Sequence, residues 1–263
     1  EKGLAEVLGV AHPVTVNSGT SALHLALVLS GVGPGDEVIL PPQTFIATGL
    51  VILMAGAKPV FADIDPHTGN ISPDGIMKKI TPHTKAIMPV HWGGYPCDMD
   101  DIHEIAANHG LTVIEDAAHA LGATYKSKPI GTISRFTAFS FQAIKHLTTG
   151  DGGMLCCKFE EDAKNAIIRR WFGIDRAKMN RSVIGDRGCD ISVLGFKYHM
   201  NNIAAAMGLG NLSDYPARLV RRRQIAAFYR DHLANITGIE LLRCEDDRTH
   251  AYWQFSFLVE KRM

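Results

Sequence analysis

The sequence predicts an α/β fold, in which helices cover both faces of a mostly parallel sheet and an incomplete, smaller α+β domain follows. Short, all-apolar segments such as residues 37–40 and 111–116 are typical of buried parallel strands. Segments with helical spacing alternate with these strands along most of the chain, which argues for a parallel sheet. With 263 residues, 46% of them hydrophobic, the chain can bury one large core and part of a second.

The N-terminal two thirds of the chain alternate helices and strands. Residues 20–31 place apolar side chains at helical spacing after a Ser-Gly-Thr-Ser start, and Gly31 provides a stop. A Pro-Pro pair at 41–42 separates the strand before it from a second helix, expected at about 44–55. Further strands are predicted at 59–64, 85–91, 111–116, 136–141 and 153–157, and further helices near 73–80, 98–109 and 159–171.

Residues 200–233 predict a long helix that is broken near Pro216. We expect a large domain over 1–212 and the start of a small domain over 213–263. The arginine triplet at 221–223 lies within the helical segment, and we interpret it as a solvated face rather than a nucleic-acid patch.

The last segment predicts a small α+β unit. Residues 238–260 alternate in polarity, and 252–259 are strand-like. Because the chain opens at Glu1 without a methionine and stops at Met263 just after this segment, we expect part of the small domain to be absent.

Composition excludes several classes of function. Lys+Arg and Asp+Glu both number 27, so no net field attracts nucleic acid or an anionic membrane. The five cysteines show no CxxC spacing, which indicates neither a disulfide framework nor a metal site and favours a reducing, cytoplasmic setting. No apolar run reaches the roughly 18 residues that a membrane span requires.

Lys145 stands in an unusual setting for a lysine. Apolar residues and a serine precede it, and a Thr-Thr-Gly turn follows it. A lysine held out of bulk water can titrate near neutrality, which suits Schiff-base chemistry with an aldehyde. The alternative is a loop lysine that pairs with Asp151.

Asp116 ends an apolar strand, where a carboxylate is costly unless it meets a cation. A pyridinium nitrogen is one such cation, whereas a helix cap or a structural salt bridge is the alternative. Pyridoxal phosphate requires such a carboxylate, a lysine for its aldehyde and a phosphate cup. The chain supplies all three.

The phosphate cup is predicted at the helix start formed by Gly19, Thr20 and Ser21, where free N–H groups and the positive end of the helix dipole favour an anion. Ser140, at the end of another strand, can add a hydroxyl. Ligands of parallel sheets lie at the carboxyl ends of strands, so these residues should lie near Asp116 and Lys145.

Two further residues become candidates for the site only in combination with Lys145, Asp116 and the phosphate cup. Phe45 follows the Pro-Pro pair and could stack on the cofactor ring, although an aromatic residue on an apolar helix usually belongs to the core. His119 could bond the phenolic oxygen, although a histidine after two alanines is usually a satisfied interior residue.

The chain resembles a known family, the DegT/DnrJ aminotransferases that act on nucleotide-linked keto sugars. The resemblance covers nearly the full length and implies an aspartate aminotransferase-like fold (fold type I), a homodimer with active sites at the interface, and pyridoxal phosphate as cofactor. It rests on the segments NSGTSALHLAL (17–27), GPGDEVILPPQTFIAT (33–48), PVFADIDPHTGNI (59–71), TKAIMPVHWGGYPCDMDDI (84–102), VIEDAAHALGATYKSKPIG (113–131) and SFQAIKHLTTGDGG (140–153).

By this resemblance, Lys145 forms the Schiff base with the cofactor, and Asp116 meets the ring nitrogen. His119 contacts the phenolic oxygen, and Phe45 contacts the ring face. The phosphate is held by Gly19, Thr20, Ser21 and Ser140.

The family also reaches across its dimer with a segment similar to GFKYHMNNIAAAMG (195–208). Many members have Asn-Tyr-Arg where this chain has Lys197-Tyr198-His199. Lys197 and Asn201 are therefore the candidates for the contact with the partner's phosphate. The usual family chain is longer at both ends.

The resemblance implies transfer of an amino group, with glutamate as the expected donor and a sugar nucleotide as acceptor. One branch of the family, the sugar dehydratases, has histidine in place of the lysine. Counted back from Thr148-Thr149-Gly150, the lysine position is Lys145, and His146 is the next residue. This register favours amine transfer over dehydration; a non-catalytic regulatory dimer of the same fold is a further alternative.

Overall fold

The computed structural model describes residues 1–178, 180–181, 187–188, 191 and 193–260. Four of the five cysteines lie among them as free thiols, whereas Cys189 lies outside the described residues. Within this part of the chain, no helix combines the length and the apolar character that crossing a membrane requires.

The helices of the described residues are α1 (Lys2–Leu8), α2 (Gly19–Leu29), α3 (Ala47–Met54), α4 (Pro73–Met77), α5 (Met99–His109), α6 (Glu160–Arg169), α7 (Asn202–Leu212) and α8 (Tyr215–Leu233). The strands are β1 (Pro13–Val16), β2 (Glu37–Leu40), β3 (Lys58–Phe61), β4 (Thr84–Ile87), β5 (Thr112–Asp116), β6 (Thr124–Tyr125), β7 (Lys128–Pro129), β8 (Phe136–Ser140), β9 (Gly153–Cys157), β10 (Asn180–Arg181), β11 (Arg187–Gly188), β12 (Ile239–Leu241), β13 (Arg248–Thr249) and β14 (Phe257–Val259). Short 3₁₀ turns occur at Trp92–Gly94 and Arg176–Lys178.

A seven-stranded sheet forms the centre of the molecule, in the order β1-β9-β8-β5-β4-β2-β3. The pairs from β8 through β3 are parallel, whereas β9 runs antiparallel to both β8 and β1. The α/β fold with a mostly parallel sheet is therefore confirmed. β5 lies in the middle of the order, so its carboxyl end lies at the centre of one sheet edge.

Apolar clusters cover both faces of the sheet. Val113 and Ile114, neighbours on β5, belong to different clusters because successive strand residues point to opposite faces. On one face the cluster includes side chains from α2, α3 and α6, and on the other it includes side chains from α5, α7 and the first turns of α8. This two-sided burial explains the nearly continuous apolar strands.

Several predicted boundaries were wrong. The helix expected from residue 44 begins at Ala47, because the Thr44 amide bonds the Pro42 carbonyl (3.2 Å) in a turn. The helix expected near 73–80 ends at Met77. β1 was missed because it is four residues long, starts with a proline and gains its hydrogen bonds from the distant β9.

The predicted long helix at 200–233 is two helices, α7 and α8. The break lies at 213–214, and Pro216 occupies the first turn of α8, where its missing N–H costs no helical bond. Tyr215 and Leu219, at the start of α8, pack in the cluster on the sheet. The domain division between 212 and 213 stays a prediction.

Candidate active site

Asp116 is the last residue of β5 and lies at the centre of the sheet's carboxyl edge. Its backbone is tied to both sides. The His91 amide donates to the Asp116 carbonyl (3.1 Å), the Asp116 amide donates to Pro89 (2.9 Å), and the Ala117 amide donates to Ala138 (2.8 Å). These bonds fix the direction in which the carboxylate leaves the strand.

The Asp116 carboxylate is buried, with a relative exposure of 5%, and it accepts hydrogen bonds from two neutral donors. Thr48 Oγ1 donates to Oδ2 at 2.7 Å, and the Ala118 amide donates to Oδ1 at 3.1 Å. Burial raises the pKa of Asp116, although these two donors and the charge of Lys145 oppose the rise. A carboxylate in this state gains from a further cationic donor.

Lys145 lies in the loop after β8, where its amide donates to the Gln142 carbonyl (2.9 Å). Burial lowers the pKa of Lys145 to about 8, and the charge of Asp116 opposes this effect. The predicted alternative, a pair with Asp151, is therefore disfavoured, since the acidic group that acts on the ammonium is Asp116. A lysine with this pKa is partly neutral near pH 7 and can attack an aldehyde.

His146, next to Lys145, faces a different part of the protein. Its Nε2 donates to the Ala251 carbonyl at 2.9 Å, and burial lowers its pKa to about 4. The histidine is thus a neutral, interior group that holds the loop against residue 251. This geometry supports the register in which Lys145 is the reactive residue.

His119 and Trp253 form a parallel stack, with ring centroids 3.9 Å apart and an interplanar angle of 3°. Trp253 Nε1 donates to the Ile144 carbonyl (3.0 Å), and the Lys145 ammonium lies 4.1 Å from the centroid of the indole ring. Burial lowers the pKa of His119 to about 3, so its imidazole is neutral at physiological pH. Its Nδ1 is buried and has no hydrogen-bond partner in the described part of the protein.

A turn at Tyr252 directs Trp253 into this site. Tyr252 has a left-handed backbone conformation (φ 51°), and its amide donates to His250 Nδ1 at 2.8 Å. The expected strand over 252–259 is therefore wrong in its first half, and only β14 remains. A period-two pattern cannot continue through a residue with positive φ.

The arginine triplet on α8 supports the same segment. Arg223 donates to the carbonyls of His250 (3.1 Å) and Gly122 (3.0 Å), and Arg222 donates to that of Tyr252 (3.4 Å). The interpretation of a purely solvated face was wrong for these two residues. Their guanidinium groups hold backbone near the site instead.

The start of α2 supplies the predicted anion-binding position. Ser18 caps the helix by accepting from the Ser21 amide at 3.0 Å, which leaves the amides of Gly19 and Thr20 without an acceptor inside the helix. The Ser21 hydroxyl donates to Asn17 Oδ1 (2.6 Å), so its proton is already used in a hydrogen bond within the turn.

Ser140, at the end of β8, lies directly against this helix start. A Cβ added to Gly19 would come within 2.9 Å of Ser140 Cβ, so a larger residue would push the two elements apart. Gly153 has the same role on β9, since its added Cβ would lie 2.6 Å from the Gly19 amide nitrogen. Gly153, the last of the glycines after Lys145, thus accommodates the backbone of the helix start.

The structure does not test the remaining predicted contacts. Phe45 precedes α3 and is 70% exposed, and its contact with the cofactor ring stays a prediction. The Lys197 carbonyl accepts from Asn17 Nδ2 (3.2 Å), while its ammonium lies 3.9 Å from the Trp171 ring centroid. Asn201 caps α7 by accepting from the Ala204 amide (2.9 Å). Both contacts with a partner's phosphate stay predictions.

This arrangement fits pyridoxal phosphate. The unpartnered Nδ1 of His119, the buried carboxylate of Asp116 and the amine of Lys145 lie at one edge of the sheet. The capped helix start with its two amides meets the same edge through Ser140. A phosphate, an aldehyde and a ring nitrogen each find a group of matching chemistry.

Comparison with known proteins decides the family. All of residues 1–263 match the model of the DegT/DnrJ/EryC1/StrS aminotransferase family. The chain belongs to this family. Its members are pyridoxal phosphate-dependent transferases, which confirms the resemblance found in the sequence, the cofactor and the class of enzyme.

Three relatives illustrate the match. The chain is 44% identical over 263 residues to the spore coat polysaccharide biosynthesis protein SpsC of Bacillus subtilis, covering 100% of this chain and 68% of SpsC. It is 41% identical over 258 residues to the GDP-perosamine synthase of Caulobacter vibrioides, covering 97% and 67%. The crystal structure of the sugar aminotransferase CalS13 from Micromonospora echinospora is 38% identical with a TM-score of 0.91, covering 98% and 72%. The chain thus spans about two thirds of the length of SpsC and the synthase.

Two residues of this aminotransferase site were missed in the sequence. Trp253 is 109 positions from Ile144, the residue to which it bonds, and Thr48 is 68 positions from Asp116. Thr48 did carry a signal, because it is a fully buried hydroxyl in a helix that is otherwise apolar. A buried hydroxyl requires a partner, and here that partner is Asp116 at the end of β5.

Proposed function

We propose that this aminotransferase moves an amino group from an amino acid, L-glutamate, to the keto group of a nucleotide-linked deoxysugar, and that it works as a homodimer with shared active sites. The observation that carries this proposal is the half-buried Lys145 under the charge of the buried Asp116, where partial burial lowers the pKa of the lysine to about 8. The match to a GDP-perosamine synthase supports a nucleotide-linked sugar as acceptor.

When bound, pyridoxal phosphate supplies an aldehyde that binds amines covalently and a ring that withdraws electrons from the carbon next to the nitrogen. The protein supplies the proton transfers. A Lys145 amine that is not bonded to the cofactor would be free to act as a base. With a pKa of about 8 it holds a neutral fraction of roughly one tenth at pH 7, which can accept the proton of the substrate carbon.

Asp116 supports the electron-withdrawing ring. Its carboxylate would accept a hydrogen bond from the protonated ring nitrogen, which would keep the proton on the ring and the ring electron-withdrawing. His119 is neutral, so it can donate to the phenolic oxygen without adding a charge. Phe45 is assigned to the ring face. Gly19, Thr20, Ser21 and Ser140 are assigned to the phosphate.

The surface of α3 supports the proposed homodimer. Leu50, Leu53 and Met54 on this helix are between 45% and 57% exposed, and Phe45 and Ile46 before it are 70% and 65% exposed. A cluster of exposed large apolar side chains next to an active site is typical of a subunit interface. Lys197 and Asn201 are assigned to the phosphate of the partner subunit by resemblance.

Amine transfer is favoured over dehydration because Lys145 has the mobile amine, whereas His146 is buried and bonded to Ala251. Purified protein loaded with pyridoxal phosphate should release 2-oxoglutarate from glutamate in a single turnover. Sugar nucleotides that carry a keto group should then gain one nitrogen, as detected by mass spectrometry.

The Lys145→Ala variant is the control, and it should lose both half-reactions while keeping its fold. A product without new nitrogen would identify a dehydratase. No release of the corresponding 2-oxo acid from any amino acid would leave a non-catalytic dimer as the explanation.

A further inference from the structure

Thr48 provides a fully buried contact to Asp116 from a separate element. Its side chain has no exposed surface, and its Oγ1 donates to Asp116 Oδ2 at 2.7 Å. A second hydroxyl follows, because Thr44 Oγ1 lies 2.6 Å from Thr48 Oγ1. Thr44 and Thr48 therefore form a hydroxyl chain that ends on the carboxylate.

The number of available protons fixes which hydroxyl donates and which accepts in the Thr44–Thr48 hydroxyl chain. An ionised carboxylate only accepts, so the single hydroxyl proton of Thr48 lies on the bond to Asp116. The oxygen of Thr48 can then only accept from Thr44. Each bond polarises the next, so Thr44 strengthens the donation by Thr48.

We propose that the Thr44–Thr48 hydroxyl chain sets how strongly Asp116 draws the proton of the cofactor's ring nitrogen, which makes Thr48 a positioning residue for catalysis. A carboxylate that already accepts a strong hydrogen bond is a weaker base. The proton shared between Asp116 and the ring therefore stays on the ring nitrogen. This inference rests on the proposed function in one respect, that the ring nitrogen meets Asp116.

Other groups around Asp116 cannot serve this purpose as selectively. The charge of Lys145 acts on the carboxylate from a neighbouring segment, and the Ala118 amide belongs to the backbone. Lys145 changes its own state during the reaction. Thr48 is neutral and lies on α3 and not in the loop that carries Lys145. Its hydrogen bond to Asp116 therefore stays constant while the lysine moves.

The Thr44–Thr48 hydroxyl chain also connects Asp116, the carboxylate assigned to the ring nitrogen, with Phe45, the residue assigned to the ring face. Phe45 lies between Thr44 and Thr48, in the turn that leads into α3. The Thr48 amide donates to the Phe45 carbonyl at 3.2 Å. A cofactor ring in contact with both Phe45 and Asp116 would be oriented by one short segment of chain.

The test compares Thr48→Val, which keeps the shape but loses the hydroxyl, with Thr48→Ser, which keeps the hydroxyl. Each holoprotein is prepared with pyridoxal phosphate labelled with ¹⁵N in the ring, and the ¹⁵N chemical shift reports where the proton lies. In Thr48→Val we expect the shift to move toward the unprotonated value. The dissociation constant of the cofactor is measured beside it, and we expect it to change by less than about threefold, because the Thr48 hydroxyl bonds Asp116 and not the cofactor.

Thr48→Ser should match the parent protein in both readouts, and Thr44→Val should give a smaller change in the same direction. Thr84→Val is the matched control, since Thr84 is a buried threonine whose hydroxyl accepts from the Thr81 amide, away from Asp116. An unchanged ring shift in folded, loaded Thr48→Val overturns the inference. If that variant does not fold, Thr44→Val decides the question by the same shift.

Failure of the proposed function is distinguishable from failure of this inference. A protein that binds pyridoxal phosphate but transfers no amine contradicts the proposed function, while the ring shift still reports on Thr48. A protein that binds no pyridoxal phosphate overturns both.

Discussion

Glu115 and Asp116 are consecutive carboxylates on one strand, and they are held in opposite ways. Glu115 is fully buried and accepts from His91 Nε2 (2.7 Å), the Ser134 amide (3.0 Å) and Thr137 Oγ1 (3.1 Å). Burial raises its pKa, but these partners outweigh burial and the net shift is downward. Asp116 has only two neutral donors, and its pKa is raised.

The imidazole beside Glu115 is neutral, as its hydrogen bonds show. His91 Nδ1 accepts from the Cys97 amide at 3.1 Å, so its proton is on Nε2 and points at Glu115. Glu115 is therefore satisfied by three fixed donors and has a structural role. Asp116 retains unused capacity, which is the condition for receiving a ligand. The number of donors, more than burial, separates the two roles.

The largest effect that would test this comparison is expected from Asp116→Asn. Turnover of the loaded enzyme should fall roughly 100-fold or more, because the ring proton loses its acceptor. The free energy of unfolding of the cofactor-free protein should change by less than about 1 kcal/mol, since a buried carboxylate with a raised pKa is replaced by a neutral amide. Single-turnover kinetics and urea unfolding measure the two quantities.

Glu115→Gln should show the reverse pattern. The NH₂ group of the substituted side chain would face hydrogen-bond donors instead of acceptors. This should lower the free energy of unfolding by about 2 kcal/mol. Turnover per folded molecule should stay within about threefold of the parent, because Glu115 does not face the cofactor edge. A Glu115→Gln protein that is stable but inactive would contradict the assignment of roles.

The two carboxylates should also differ in the pH dependence of stability. The pKa of Glu115 is lowered on folding, so its stabilising contribution is present above its unfolded value of 4.5 and is lost as pH falls below it. The pKa of Asp116 is raised above 3.8, so its protonation favours the folded state at low pH and this gain is lost as pH rises.

Unfolding of the cofactor-free protein between pH 3.5 and 6 measures this difference. As pH falls, the difference in free energy of unfolding between the parent protein and Glu115→Gln should narrow. Over the same range the parent protein should gain stability relative to Asp116→Asn. Parallel curves for the two variants would show that the carboxylates do not differ in the way described.

The smallest effect is expected at Trp253, whose indole ring lies against the ammonium group of Lys145. Trp253→Leu keeps apolar bulk but removes the indole face beside the ammonium, so the pKa of Lys145 should fall by roughly half a unit. The rate at which cofactor-free protein takes up pyridoxal phosphate, followed against pH, reports this pKa. Trp253→Phe should give a smaller shift, and an upward shift in Trp253→Leu would contradict the proposed contact.

Local patterns in the sequence were sufficient to predict the central part of the site. Asp116 and Lys145 each stand at the end of an apolar strand or in the loop after it, and Ser18 caps a helix beginning at Gly19. These positions depend on neighbouring residues and on the rule that strand ends share one sheet edge. The sequence therefore predicted where Asp116, Lys145 and this helix start lie in the fold, while their roles stay predictions.

The contacts that sequence did not predict depend on chain packing. Trp253 enters the site through a left-handed Tyr252, a conformation that a strand pattern does not indicate. Thr48 was hidden in an apolar helix, and Arg222 and Arg223 find carbonyl acceptors up to 101 positions away. No local spacing encodes such partners, because they arise only when separate elements are brought together.

The stacked indole of Trp253 gives this protein a built-in optical reporter. Its Nε1 is anchored to Ile144, and its ring contacts His119 and Lys145, the residues assigned to two functional groups of the cofactor. Tryptophan emission overlaps the absorption of pyridoxal phosphate, so energy transfer should quench this fluorophore as the site is loaded. Occupancy can thus be followed by fluorescence in the native chain, without a substrate or an attached dye.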